Sequence, residues 1–163
     1  MKTKFLFLMV LGFSLLSIAA CKSTKTSGAK FPKVDGIYDY GSPNVEQALL
    51  DHNTFKIIET SNDPTYGYSE ANPIMVGKAG GNAPLNERRF LNALAGPNGE
   101  IIKYYRLGSC CSFRTKNGLL NDAGLLDKYV VTYEGVEKEI VLYINMYDSD
   151  VLKIPVGFKK KMY

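Results

Sequence analysis

The stretch NERRFLNALAGPNGEIIKYYRLGSCC, residues 86–111, decides the fold. Phe90, Leu91 and Leu94 form one apolar stripe at helical spacing, which predicts a helix over Leu85–Ala95 with Glu87, Arg88 and Asn92 facing mostly outward. Gly96-Pro97 stops it, because glycine accepts the left-handed cap conformation and proline cannot continue the helix. Asn98-Gly99 then turns the chain into Glu100–Leu107. There Ile101, Lys103, Tyr105 and Leu107 alternate with Ile102, Tyr104 and Arg106, so apolar bulk on both faces predicts an interior strand. The stretch closes on the adjacent pair Cys110-Cys111.

Toward the C-terminus, 113–126 reads as a loop with turns at Asn117-Gly118 and Ala123-Gly124. Asp127–Tyr133 and Glu139–Tyr147 read as paired strands joined through Glu134-Gly135. Ile140, Leu142, Ile144 and Met146 share one face of the second strand, and Val141, Tyr143, Asn145 and Tyr147 share the other, which places it at the centre of a sheet. Val151–Phe158 is an edge segment, since Pro155 removes a ladder donor. Toward the N-terminus, Val34–Tyr40 reads as a short strand. Ser42-Pro43 resembles the opening of a helix that buries Val45, Ala48 and Leu49 and ends by Asp51–Asn53. Thr54–Thr60 is a strand, and 61–84 is a loop around a short strand at Ile74–Val76, packed down by Tyr66 and Tyr68. Helices and strands do not alternate regularly, so the expected class is α+β: a mainly antiparallel sheet with two short helices on one face.

The chain of 163 residues, 45% hydrophobic and 22% charged, fits one globular domain, expected over 34–158. The formal charge of +4 shrinks once Lys2 and Lys4 are assigned to an export signal and Lys159, Lys160 and Lys161 to a solvated basic tail at 159–163. The body is nearly balanced, which gives no electrostatic footprint for nucleic acid. Residues 1–20 have a basic start, an apolar run from Phe5 to Ile18 and small residues before Cys21, the pattern of a secretory signal. That run is short of the roughly 20 apolar residues a membrane span needs. Ile18-Ala19-Ala20-Cys21 resembles the bacterial lipobox, which implies a mature chain that begins at a lipidated Cys21. Two or three acyl chains anchor a protein stably. Residues 21–33, rich in Ser, Thr, Lys and Gly, then read as a flexible tether.

Cys110 and Cys111 are the candidate reactive pair. Adjacent Cα atoms stand about 3.8 Å apart, whereas relaxed disulfides prefer about 5.5 Å. Four readings stay open: an adjacent disulfide, two thiols on opposite sides of a strand, an intermolecular bridge, and redox or soft-metal chemistry. His52 is the only histidine, so zinc and serine or cysteine hydrolase chemistry lack their ligands and base. No metal or cofactor is expected. Glycoside hydrolysis would require two of Glu87, Glu100 and Asp127 to converge. Arg88 and Arg89 at a helix start, with Arg106 on the next strand, are placed to form an anion site. Eleven tyrosines and no tryptophan raise a second binding candidate, a face that includes Tyr66 and Tyr68.

The blocks YGYS (66–69), NPIMVG (72–77), NERRFLNAL (86–94), GPNG (96–99), GSCC (108–111) and LYINMYD (142–148) resemble a family of small secreted lipoproteins of Bacteroidetes-type bacteria, with no established activity. Some such proteins bear the label 2-dehydro-3-deoxyphosphooctonate aldolase. The enzyme of that name is a (β/α)₈ barrel, a fold of about 250 residues whose strand-helix alternation this chain lacks. Surface-exported lipoproteins of these bacteria carry acidic residues after the lipidated cysteine. Lys22 and Lys25 stand there instead, which implies an outer-membrane protein facing the periplasm. The resulting expectation is a lipid-anchored envelope module whose partners are the membrane, through its anchor, and an envelope protein or glycan. The alternative is an envelope enzyme, either thiol-based at Cys110-Cys111 or a lyase.

Overall fold

A computed structural model describes residues 30–77 and 81–162. The export signal, Cys21 and most of the expected tether lie outside the described residues. In chain order the elements are β1 (Lys33–Val34), β2 (Ile37–Asp39), β3 (Leu49–Asp51), β4 (Thr54–Phe55), β5 (Glu59–Thr60), β6 (Ile74–Met75), α1 (Ala83–Asn92), β7 (Leu94–Ala95), β8 (Lys103–Arg114), β9 (Ala123–Thr132), β10 (Ile140–Asn145), β11 (Lys153–Ile154) and β12 (Lys159–Lys160).

The fold is mostly strand, built on a curled six-stranded sheet of order β1-β2-β8-β9-β10-β6. Its centre is an antiparallel meander of β8, β9 and β10, in which Ile140 faces Val131 and Ile144 faces Asp127. The edges differ from the antiparallel expectation: β2 runs parallel to β8, and β6 runs parallel to β10. Both parallel strands come from the N-terminal half and reach the sheet by long connections, as parallel pairing requires.

The alternation of β10 sorts the core into two layers. Leu142 and Ile144, with Tyr129 and Val131 of β9, pack under Phe90 and Leu91 of α1. On the opposite face Tyr143 and Tyr147 join Tyr40, Met75, Phe113 and Leu126.

Only one of the two expected helices is present among the described residues. At 42–48 the segment is irregular: Ser42 has φ +51°, and the Val45 N–H donates to the Ser149 carbonyl at 2.9 Å. A helix this short is marginal without tertiary support, and here Val45 and Leu49 are exposed. Leu49–Asp51 instead pairs with Thr54–Phe55. Helix α1 starts earlier than expected, with Pro84 in its first turn, and ends at Asn92. Leu94-Ala95 leaves the helix to pair with Lys160 and Lys159. The lysine run is therefore a strand with exposed side chains rather than a loose tail. With a single helix among the described residues, the (β/α)₈ alternation is absent there.

Strand β8 overshoots its expected end by seven residues, running through the cysteine pair to Arg114, and β9 begins at Ala123. The expected loop shrinks to the turn around Asn117-Gly118, and Gly124 becomes a strand residue opposite Phe113. A Cβ at Gly124 would stand 2.6 Å from Phe113 Cζ and 2.9 Å from Tyr147 Cδ2. The Phe113 ring is held between Tyr40, 4.8 Å away, and Tyr147, 5.9 Å away, so it cannot step aside cheaply. Gly124→Ala should therefore destabilise the domain by about 1–3 kcal/mol through overpacking. Urea unfolding reads this as a lower midpoint at unchanged slope.

Candidate functional site

The alternation of β9 turns Asp127, Tyr129 and Val131 toward α1. On β8, Arg106 lies opposite Tyr129 and Ser109 lies opposite Asp127. In a regular strand residues three apart point to opposite faces. Here the register shifts between Arg106 and Gly108, leaving Leu107 as the extra residue of a β-bulge, which returns Ser109 to the face of Arg106.

The guanidinium of Arg106 donates from Nε to Asp127 Oδ2 at 2.6 Å and from Nη2 to Oδ1 at 2.8 Å. Its Nη2 also reaches Ser109 Oγ at 2.6 Å, and that hydroxyl donates to Asp127 Oδ1 at 2.7 Å. From above, α1 lowers Glu87 onto the same carboxylate. The Tyr129 hydroxyl donates to Glu87 Oε2 at 2.8 Å, while Glu87 Oε1 is buried and receives no hydrogen bond.

That second oxygen defines the protonation of the cluster. Glu87 is 0% exposed. Burial, reinforced by the neighbouring charge of Asp127, pushes its pKa up to about 8. A protonated Glu87 Oε1 becomes a donor, and Asp127 is the acceptor beside it. For Asp127 burial acts upward, but the hydrogen bonds of Arg106 and Ser109, the Arg106 charge and the Glu87 proton outweigh it and hold the carboxyl below its ordinary value. Burial first, and then Glu87, push the Tyr129 hydroxyl up, and the Asp127 hydrogen bond pushes the Arg106 guanidinium up. The result is an asymmetric pair, a protonated Glu87 beside an ionised Asp127. In an open cleft such a pair is acid-base machinery. Here Asp127 is only 3% exposed and the half-exposed Arg106 covers it. Four open clefts, of about 560, 590, 620 and 590 Å³, lie elsewhere. The cluster is a buried polar lock between helix and sheet.

Of the three acids named as glycosidase candidates, the fold brings together Glu87 and Asp127 and leaves Glu100 in an exposed turn, where it accepts from the Asn98 N–H and side chain. The three arginines have separate uses. Arg88 is exposed, and Arg89 bonds the His52 carbonyl at 2.9 Å and Asn86 Oδ1 at 2.8 Å. His52 itself lies in the β3–β4 turn, not at a helix end. Tyr66 is buried in the main core, where its hydroxyl accepts from the Lys153 N–H. Tyr68 packs partly against that core and donates to the Val156 carbonyl.

Cys110 and Cys111 form a disulfide between neighbours, with Cα atoms 3.7 Å apart. A second register shift leaves Cys111 as the extra residue of another bulge, at φ +50°. Both cysteines pack, half-buried, against the Tyr40, Phe113 and Leu126 layer, on the face away from Asp127.

The sequence reading also missed a second polar knot. Asp148, wholly buried, accepts from Thr115 Oγ1, from Asn117 Nδ2 at 2.8 Å and from Asn145 Nδ2 at 2.8 Å. Asn145 Oδ1 meanwhile takes the N–H groups of Tyr147 and Asp148. The Asn145-x-x-Asp148 spacing is its one local signal, since Asn side chains commonly cap nearby N–H groups. Among the described residues no three His, Cys, Asp or Glu side chains converge as metal ligands, and no helix is long and apolar enough to cross a membrane. Compared with known protein families, characterised proteins and solved structures, the chain matches none.

The lock couples stability to pH. Folded, Glu87 keeps its proton to about pH 8, whereas unfolded it releases it near its ordinary 4.5. Between those values folding takes up a proton, so raising the pH disfavours the folded state, and the loss is complete above the folded pKa. Glu87→Gln keeps a donor toward Asp127 and an acceptor for Tyr129 without the titration. It should flatten the stability-pH curve across this window and exceed wild type at its upper end, as read by urea unfolding at both ends. Parallel curves for the two proteins would contradict a protonated Glu87.

Proposed function

We propose that this protein is a lipid-anchored component of the bacterial cell envelope, facing the periplasm from the outer membrane, whose single domain binds or braces an envelope partner and does not catalyse. The observation that carries the non-catalytic reading is the seal over the Glu87–Asp127 pair: the groups with the strongest acid-base character are closed to any substrate. Arg106 and Ser109, the members nearest solvent, are already committed to Asp127. The anchoring reading rests on the sequence before Cys21, where an apolar run ends in small residues and a cysteine.

Intact-mass spectrometry of the protein isolated from envelopes tests the anchor. The expected polypeptide begins at Cys21, carries acyl chains, and gains two hydrogens on reduction as Cys110 and Cys111 separate. Cys21→Ala should accumulate a precursor that retains residues 1–20, and a mature protein with an unmodified N-terminus would refute the anchor. Complementation tests the mode of action. In a strain lacking the chain, a folded and anchored Glu87→Gln variant should restore the envelope property that the wild-type chain restores. Failure of that variant would favour chemistry at the pair.

A further inference from the structure

Two depressions flank strand β12 and share Lys160 and Lys161. On one side the cleft of about 560 Å³ has Leu94, Ala95 and Ile102 among its lining residues and Ile101 and Met162 at its rim. On the other a smaller one, about 140 Å³, is lined by Leu50, Phe55 and Ile58 together with Lys56. Single exposed apolar residues are ordinary. Here three protrude around one basic strand: Ile58 and Ile101 are each 79% exposed and Met162 is 87% exposed.

The lining of the two depressions is mostly basic, with Glu59 next to Ile58 in the chain and Glu134 sharing a further cleft with Ile101. Lys56, Lys159, Lys160 and Lys161 line the two depressions with a single carboxylate, Glu100, which also holds the Asn98 turn. The lysines are not presented by a loose end, since β12 pairs with β7 and the Lys161 N–H donates to the Ala93 carbonyl at 2.9 Å. Lys30, the first described residue, lines a cleft with Glu59 and Thr60, the residues directly after Ile58.

We propose that this face, with Ile58 and Ile101 beside the β12 lysines, rests on an anionic bilayer surface. The proposal relies on the anchoring reading above for its geometry. The segment from Cys21 to Lys30 can reach at most about 30 Å, so an anchored domain stays near its bilayer and even a weak contact is populated. Protruding isoleucines and a methionine among lysines suit the boundary between headgroups and acyl chains, where apolar tips enter and ammonium groups meet lipid phosphates. A peptide groove would recess its apolar residues instead.

The chain has no tryptophan, so Ile58→Trp, Ile101→Trp and, as a control, Leu119→Trp on the β8–β9 turn each introduce a unique tryptophan, excited at the red edge of its absorption to leave the tyrosines dark. The processed lipoprotein is mixed with vesicles of brominated phosphatidylcholine, alone or with phosphatidylglycerol. Flotation with phosphatidylcholine vesicles reads the anchor, and quenching reads the face. Emission at positions 58 and 101 should be quenched several-fold more than at 119 in the anionic vesicles. That difference should fall when Lys159, Lys160 and Lys161 are replaced by serine. A protein that does not float with neutral vesicles refutes the anchor alone, because quenching by added anionic vesicles still judges the face. Equal quenching at 58, 101 and 119 in anionic vesicles overturns the proposal, whether or not the protein floats.

Discussion

A carboxylate sealed in a protein interior is tolerable only where charge and hydrogen bonds replace the water it has lost, and Asp127 meets that condition with partners from two directions. Arg106 and Ser109 reach it from the neighbouring strand, and the proton of Glu87 reaches it from the helix above. The partners come from two parts of the chain, the strand β8 and the helix α1, so satisfying one carboxylate of β9 fixes β8 against β9 and α1 against both. Tyr129 extends the demand by one step, since its buried hydroxyl needs Glu87 as acceptor. The cluster thus specifies one arrangement of helix and sheet more narrowly than apolar packing does, because hydrogen bonds have direction and a misplaced partner leaves a buried group unmet.

The bulges of β8 make that cluster possible. Without the extra residue at Leu107, Arg106 and Ser109 would face opposite sides of the sheet and only one could serve Asp127. The displaced Leu107 is the visible consequence, an exposed apolar side chain in the middle of a long strand. The second bulge does the same for the other core layer, returning Phe113 to the face of Cys110. It requires Cys111 at a positive φ that residues with a side chain seldom adopt. A covalent link between consecutive residues restricts the backbone at just that point, so the cysteine pair serves the register of β8. The pair accordingly packs on a core layer, against Phe113 and its neighbours.

The parts of the fold that were legible in the sequence are those with a local period. In β10 the strict alternation of Leu142 and Ile144 with Tyr143 identifies both core faces, and Phe90 and Leu91 identify the buried side of α1. The burial of Glu87 is not legible locally for a physical reason: its partner lies 42 residues away at Tyr129, and no local pattern signals a buried acid whose partner is remote. The same holds for the segment after Ser42-Pro43. Its capping residues favour a helix, but the Ser149 carbonyl offers the Val45 N–H a tertiary partner and wins. The strand at Lys159 and Lys160 is hidden because a lysine run says much about side-chain hydration and nothing about backbone N–H and C=O groups, which pair with β7 regardless of charge.

The interior lock also bears on where the surface lysines stand. With only Phe90 and Leu91 directed into the core, α1 could roll about its axis at modest cost. Asn86 bonds the Gly77 carbonyl, Arg89 bonds the β3–β4 turn and Glu87 bonds the sheet, so three polar contacts within one helical turn fix its rotation. Ala93 follows the helix directly and β7 leaves from there, so the rotation of α1 sets the direction in which β7 presents its edge. Strand β12 pairs with that edge, and its lysines and their apolar neighbours take their position from it. The buried proton on Glu87 and the exposed basic strand are therefore ends of one mechanical chain.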